Sequence, residues 1–224
     1  MTRLQLLEYL SDRIVSVKQA HPTRVAIDGV DAAGKTMLAN ELLQPLRERS
    51  RPVIRASTDS FHLPRNVRYK RGSTSPEGYY YDSFDYDAIK SRLLEPLGLN
   101  GNRQYQTATF NFRPDSTVDS PVSCAPDNAI LIFDGIFLFR PKLYDYWDFK
   151  VFVDVEFEVS VERAAHRDQE LLGGADAAQE RYWQRYVPGQ RLYIQNCHPR
   201  EHADVIVKNN DFVNPTIYIC KHQT

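Results

Sequence analysis

Apolar positions recur at two periods along this chain. Leu7, Leu10, Ile14 and Val17 follow helical spacing, which predicts an amphipathic helix over residues 3–20, ended by His21-Pro22. Residues 24–28 read as a short strand that leads straight into a glycine-containing turn. Residues 37–49 read as a helix, kinked or shortened by Pro45. A second strand is expected over 52–56, and helical character returns over 85–97. The runs 129–133 and 150–155 are apolar almost without interruption, as in strands buried on both faces. Helices are expected over 160–172, stopped by Gly173-Gly174, and over 175–187, stopped by Pro188-Gly189. Residues 204–207 and 216–219 read as late strands. Between these elements, 60–82 read as a functional loop or short helices, and 98–127 as irregular chain with one hairpin. Strands alternating with helices predict an α/β fold around a mainly parallel sheet.

Composition narrows the function classes. The 224 residues suffice for one sizeable core, and 42% hydrophobic with 25% charged residues is ordinary for a globular chain. The 28 Lys+Arg nearly cancel 29 Asp+Glu, so a global basic field for nucleic acid is absent. Cys124, Cys197 and Cys220 are scattered and odd in number, which argues against a disulfide scaffold or a cysteine zinc site. No apolar run reaches the roughly 18–20 residues of a membrane span. The first residues read as a folded helix rather than a signal peptide. A cytoplasmic protein without nucleic-acid or membrane partners is expected, and a homo-oligomer is left open.

The turn after the first strand carries chemistry. Gly29-Val30-Asp31-Ala32-Ala33-Gly34-Lys35-Thr36 matches the phosphate loop pattern G-x-x-x-x-G-K-[ST]. Its glycines allow a tight turn whose N–H groups point at phosphate oxygens, and the helix that follows adds its N-terminal dipole. Gly29, Asp31, Ala32, Ala33, Gly34, Lys35, Thr36 and Met37 are the expected nucleotide contacts. Lys35 would reach the β- and γ-phosphates, and the Thr36 hydroxyl would bind Mg²⁺. The strand before the loop and the helical pattern after it argue against a chance match.

Two more strands finish in acids, Asp59 and Asp134. In a parallel sheet these ends share the edge of the phosphate loop. Asp134 is placed to hold Mg²⁺ with Thr36, and Asp59 to accept a proton from an attacking hydroxyl. The plainer alternative for each is a helix cap or a loop acid.

The order of Asp59-Ser60-Phe61-His62, Asp82-Ser83-Phe84-Asp85, Asp134-Gly135-Ile136, Arg163…Arg167-Asp168 and the segment Tyr186–Val207 resembles the uridine kinase and phosphoribulokinase group, over roughly residues 22 to 210. The phosphate loop is common to many families, whereas the Asp-Ser-Phe block and its spacing are more specific. The resemblance implies a P-loop kinase fold in one domain, residues 1–224, with a helical lid at about 160–190 and an acceptor-binding insertion at about 60–125. It implies transfer of a phosphoryl group from ATP, with Mg²⁺, to a hydroxyl of a small acceptor. By the same resemblance Asp59 is the catalytic base, Asp82 grips ribose hydroxyls, and Arg163 and Arg167 lie on the lid helix and close over the transferring phosphates with Lys35. Asp134 stands where the family usually has Glu. Tyr105 and Arg113 align with the stretch that contacts the pyrimidine, but Phe110 replaces its histidine. A phenyl ring stacks on a base without hydrogen-bonding its edge. The acceptor is therefore expected to be a nucleoside, with a sugar, sugar phosphate or pantothenate-like alcohol as the alternative.

Several residues carry two readings. Arg163 and Arg167 share a helix face, where they could equally pair with Glu162 or Glu170. Gly173-Gly174 could hinge the lid or simply end a helix. His62 either lines the acceptor pocket or packs at a helix start, and of Tyr79-Tyr80-Tyr81 one, assigned as Tyr81, is expected to wall the acceptor site, with core packing as the alternative. Arg65, Arg68, Lys70 and Arg71 read first as a solvated loop, and otherwise as contacts for an anionic group of the acceptor. His166 reads as an ordinary surface residue. A nucleotide switch or ATPase without a small acceptor is the competing class, although no Asn-Lys-x-Asp motif for guanine is present.

Overall fold

Hydrophobic runs too long to leave one face in water must be covered on both sides, and the chain does this with one central sheet. The computed structural model describes residues 1–220. The chain begins with α1 (Arg3–Ser16), β1 (Thr23–Gly29), α2 (Lys35–Glu41), α3 (Leu43–Glu48) and β2 (Val53–Ser57). A 3₁₀ turn (Thr58–Phe61) leads to α4 (Arg65–Arg68), α5 (Pro76–Asp82) and α6 (Tyr86–Ile89), which runs into a π turn (Lys90–Leu94). Four two-residue strands follow: β3 (Gln104–Tyr105), β4 (Phe110–Asn111), β5 (Ser116–Thr117) and β6 (Ser123–Cys124). Then come β7 (Ile130–Asp134), β8 (Phe149–Asp154), α7 (Phe157–Leu172), α8 (Ala175–Arg181), a π segment (Tyr182–Tyr186), α9 (Val187–Cys197), α10 (Pro199–His202), β9 (Val205–Lys208) and β10 (Thr216–Ile219).

The sheet order is β10-β9-β8-β1-β7-β2, parallel throughout except for β10, which runs antiparallel to β9. Every parallel strand therefore ends on one edge. Side chains alternate across β1, so Val25 and Ile27 face a cluster with Leu6, Leu10, Leu38 and Leu42, while Ala26 faces Phe61, Phe133, Phe137, Trp147 and Tyr193. Each large apolar side chain buried this way contributes about 1.5–3 kcal/mol.

The helix at 3–20 is shorter than its pattern suggests. It starts in a Thr2/Gln5 capping box and ends at Ser16, whose hydroxyl donates to the Arg13 carbonyl (2.6 Å) while Val17 turns extended. The helix at 37–49 is two pieces that meet at Leu42. Pro45 falls in the first turn of α3, where a missing N–H leaves no intrahelical bond unmade. Residues 98–127 hold two small antiparallel pairs, β3–β6 and β4–β5, rather than one hairpin.

One expected boundary is overturned. The chain does not stop at Pro188-Gly189 but stays helical from Ala175 to Cys197. The wider π turns come immediately before Val187, and Pro188 lies in the first turn of α9, so its missing N–H breaks no ladder. Gly173-Gly174 is a true break, with both residues at positive φ between α7 and α8.

Candidate active site

The site is built on the shared strand edge. β1 ends at Gly29, at φ +152°, where a Cβ would sit 2.3 Å from the Val153 carbonyl oxygen of the neighbouring strand. The loop then turns through Ala32 (φ 51°) and Gly34 (φ 94°) into α2. Three side chains from distant elements fix its backbone, and two grip the Asp31 carboxylate. Asn209 Nδ2 donates to the Ala33 carbonyl (2.7 Å), and Ser160 Oγ to the Asp31 carbonyl (2.6 Å). Gln190 Oε1 accepts from the Asp31 N–H, and its Nε2 donates to the Asp31 carboxylate, both at 3.0 Å. The Tyr79 hydroxyl donates to the same carboxylate (2.8 Å). Burial raises the Asp31 pKa, against the pull of Lys35 and the Tyr79 bond. Lys35 lies over the loop, its Nζ donating to the Val30 carbonyl (2.6 Å). Met37 points outward, with 52% of its surface exposed.

Asp134 ends β7 level with Ser57 of β2 and Ile27 of β1. Thr36 Oγ1 donates to one carboxylate oxygen (2.5 Å), and Arg55 Nη2 to the other (2.6 Å). The expected metal pair is thus in contact, and Arg55 offsets part of its charge. A hydroxyl and a carboxylate are hard oxygen donors, the set that Mg²⁺ takes together with phosphate oxygens and water, so these residues fit that ion.

Asp59 lies two residues beyond Ser57 in the 3₁₀ turn, with 67% of its side chain open to solvent. Partial desolvation in the cleft and repulsion from Asp134 raise its pKa, while Lys35, Arg167 and Arg55 oppose the rise. His62 stacks on Phe84 at 4.6 Å and also meets Phe112 at 5.1 Å. Its Nδ1 donates to the Ser83 carbonyl (3.1 Å), and burial pushes its pKa down to about 4. The ring is therefore neutral at pH 7, and its Nε2 lone pair sits 3.8 Å from Asp59 Oδ1. Two acceptors lie side by side there, a setting suited to a ligand that brings two hydroxyl donors.

The other expected residues separate. Asp82 is buried and pairs with Arg71 (2.8 Å) and Lys70 (3.2 Å). Tyr81 is 47% exposed beneath the Arg140 guanidinium, so of the tyrosine row it is Tyr79 that touches the phosphate loop. Tyr105 is half-buried against the aromatic core, and Arg113 lies beyond β4 with its N–H on Asn111 Oδ1 (3.1 Å). Phe110 is buried, so the ring beside His62 is that of Phe112. Arg163 holds the carbonyls of Asn209 (3.1 Å) and Asn210 (2.7 Å) after β9. Arg167 pairs with Asp168 and acts electrostatically on both Asp31 and Asp59, so of the two α7 arginines it is the one directed at the cleft. His166 is exposed, in line with a surface residue. Sequence reasoning missed Arg55, Tyr79 as an Asp31 partner, Ser160, Gln190 and Asn209. Only Arg55, a cation inside an otherwise apolar strand, left a local signal.

The sequence pattern of the phosphoribulokinase/uridine kinase family matches residues 25–214, and the chain belongs to that family. It is a P-loop kinase, an ATP-using phosphotransferase. It is 25% identical over 189 residues to uridine-cytidine kinase B of Dictyostelium discoideum, covering 84% of this chain and 74% of that one. Its fold superimposes on a possible uridine kinase from Bacillus stearothermophilus with a TM-score of 0.72 at 23% identity, covering 91% and 97% of the two chains. D-glycerate 3-kinase from Cryptococcus neoformans superimposes with a TM-score of 0.63 at 14% identity over 96% and 97%. At these identities the two structural likenesses are likenesses of fold.

Proposed function

We propose that this family member transfers the γ-phosphoryl group of ATP to a hydroxyl of a nucleoside-like acceptor, with Asp59 as the base. The supporting observation is the meeting of Asp59 and neutral His62 at the mouth of the phosphate-loop cleft. The attacking hydroxyl of the acceptor donates to the Asp59 carboxylate, which takes its proton as the oxygen attacks. His62 Nε2, an acceptor beside it, takes a hydrogen bond from a second hydroxyl of the acceptor. Asp59 is open enough to be reached, and its raised pKa makes it a stronger base than an ordinary aspartate. Lys35 and Arg167 offset charge on the transferring group, and catalysis comes mainly from position and electrostatics. Thr36 and Asp134 would hold Mg²⁺, which when bound supplies charge neutralisation at the phosphates. A relative named uridine-cytidine kinase favours a nucleoside. A fold neighbour named D-glycerate 3-kinase keeps a different small alcohol as the second reading.

The test is ATP consumption across nucleosides, sugars, sugar phosphates and hydroxy acids, with Asp59→Asn as the control. A nucleoside should be turned over by the wild type, and the variant should lose at least about a hundredfold in kcat with little change in ATP affinity. Hydrolysis that no acceptor stimulates would overturn the acceptor reading, and full activity of Asp59→Asn would overturn the base.

A further inference from the structure

The basic segment after Asp59 does not act as one cluster. Arg68 pairs with Asp115 (2.9 Å), and Lys70 and Arg71 share Asp82, so each of these cations already has an acid partner. Arg65 is different. Its backbone N–H binds Asp115, but among the described residues no carboxylate pairs with its guanidinium.

The long helix after the lid break brings two more cations to the same place. Arg181 and Arg185 stand one turn apart at the end of α8 and in the π segment, a spacing at which like charges repel. The guanidinium carbons of Arg65, Arg68, Arg181 and Arg185 lie 5.7, 5.7, 5.9 and 4.6 Å from the centre of the Tyr69 ring. Arg185 is only 2% exposed. It donates to the carbonyls of Arg68, Gly72 and Ser73, yet among the described residues no carboxylate pairs with it or with Arg181. Nε of Arg185 and Nε of Arg181 are both buried without a hydrogen-bond partner. Burial, together with repulsion from Arg181, holds the Arg185 pKa below the usual arginine range. A buried cation without a counter-ion is costly, and Arg185 is one; beside it the half-buried Arg181 and the exposed Arg65 likewise have no acid among the described residues.

A cavity of about 610 Å³ opens between α4 and α8, lined by Arg65, Asn66, Tyr69, Ser73, Asp115 and Arg181. We infer that this cavity binds an oxyanion, the phosphate or carboxylate group of a small molecule. Arg65 and Arg181 supply planar donors of the kind that match such a group, and Asn66 and Ser73 add neutral donors. Asp115, the one acid of the wall, is already engaged by Arg68 and by the Arg65 N–H. The site adjoins the acceptor side of the cleft. Arg68 and Asp115 both act on His62, and Arg185 approaches the Tyr79 ring (6.0 Å), whose hydroxyl holds Asp31. Assigning the anion to the acceptor itself rests on the second kinase reading above, a small alcohol that carries a phosphate or carboxylate, because a nucleoside has neither. A separate anionic effector is the other source.

The test uses the full chain saturated with a non-hydrolysable ATP analogue and Mg²⁺, so that the phosphate loop is filled. Inorganic phosphate is then titrated calorimetrically at low and moderate salt. The wild type should bind phosphate, more weakly as salt rises. Arg65→Gln and Arg181→Gln should each weaken it about tenfold or more, while the affinity for the analogue stays unchanged and reports an intact fold. No phosphate binding by the analogue-loaded wild type, or equal binding by the variants, would overturn the inference. If the wild type failed to bind the analogue, the kinase reading would fall instead, and phosphate titration of Lys35→Ala protein would still test this cavity. Displacement of the bound phosphate by a hydroxy acid or sugar phosphate that is itself phosphorylated identifies the acceptor as the source. Phosphate that stays bound while a neutral acceptor turns over identifies an effector.

Discussion

Replacing Asp28 by asparagine is expected to change how stability depends on pH. Asp28 is fully buried at the foot of the phosphate loop, where its carboxylate accepts from the Tyr193 hydroxyl and the Gly29 N–H. Burial outweighs these donors and nearby Lys35, and lifts its pKa from 3.8 to about 6. Between those values the folded chain keeps a proton that the unfolded chain has released. The stability due to this group is therefore greatest below the lower value, declines as pH rises towards the upper one, and is constant beyond it. A shift of about 2 units corresponds to about 3 kcal/mol against the native state at neutral pH. Of this, about 2 kcal/mol falls between about pH 4.5 and about pH 7.5. The Asp28→Asn side chain carries no charge at either pH. Whatever its hydrogen bonding costs, the difference in unfolding free energy between variant and wild type should move by about 2 kcal/mol in the variant's favour across that range. Urea unfolding followed by fluorescence, with Trp147 buried in the core, measures this directly. A difference that stays constant with pH would refute the reasoning, because Asp28 would then titrate as if in water.

Three further outcomes are expected. The acid limb of the kcat/KM profile should lie above the ordinary aspartate value of about 3.9, since desolvation and Asp134 raise the Asp59 pKa; a limb at or below that value would remove Asp59 as the titrating base. A Cβ at Gly135 would fall 2.4 Å from the buried Thr58 side chain, next to Asp59. Gly135→Ala should thus cost about 1–3 kcal/mol in thermal unfolding and lower kcat more than it raises KM for ATP. Tyr79→Phe keeps the ring packing on Phe137 and Tyr186 but removes one donor from the buried Asp31 carboxylate. It should destabilise by about 1–2 kcal/mol and raise KM for ATP severalfold, and unchanged values of both would show that the bond does not hold the loop.

The parts of this protein legible in its sequence are those written in consecutive residues. A strand, eight residues with two glycines and a lysine, and a helix suffice to specify the phosphate loop, because backbone stereochemistry there is local. The strand-end acids Asp59 and Asp134 follow from the same logic, since parallel strands bring their ends to one edge. Local reasoning failed at Pro188, where the π segment upstream shifts the proline into a first turn and the helix runs on to carry Gln190 and Tyr193. Tertiary structure alone decided which charges are satisfied. Asp134 finds Arg55 from the neighbouring strand, Asp31 finds Gln190 from 159 residues away, and Asp82 takes up Lys70 and Arg71. Among the described residues, Arg65, Arg181 and Arg185 are left without an acid. Charge pairing and desolvation depend on distances through space, and nothing in chain order encodes those until the sheet and its helices have packed.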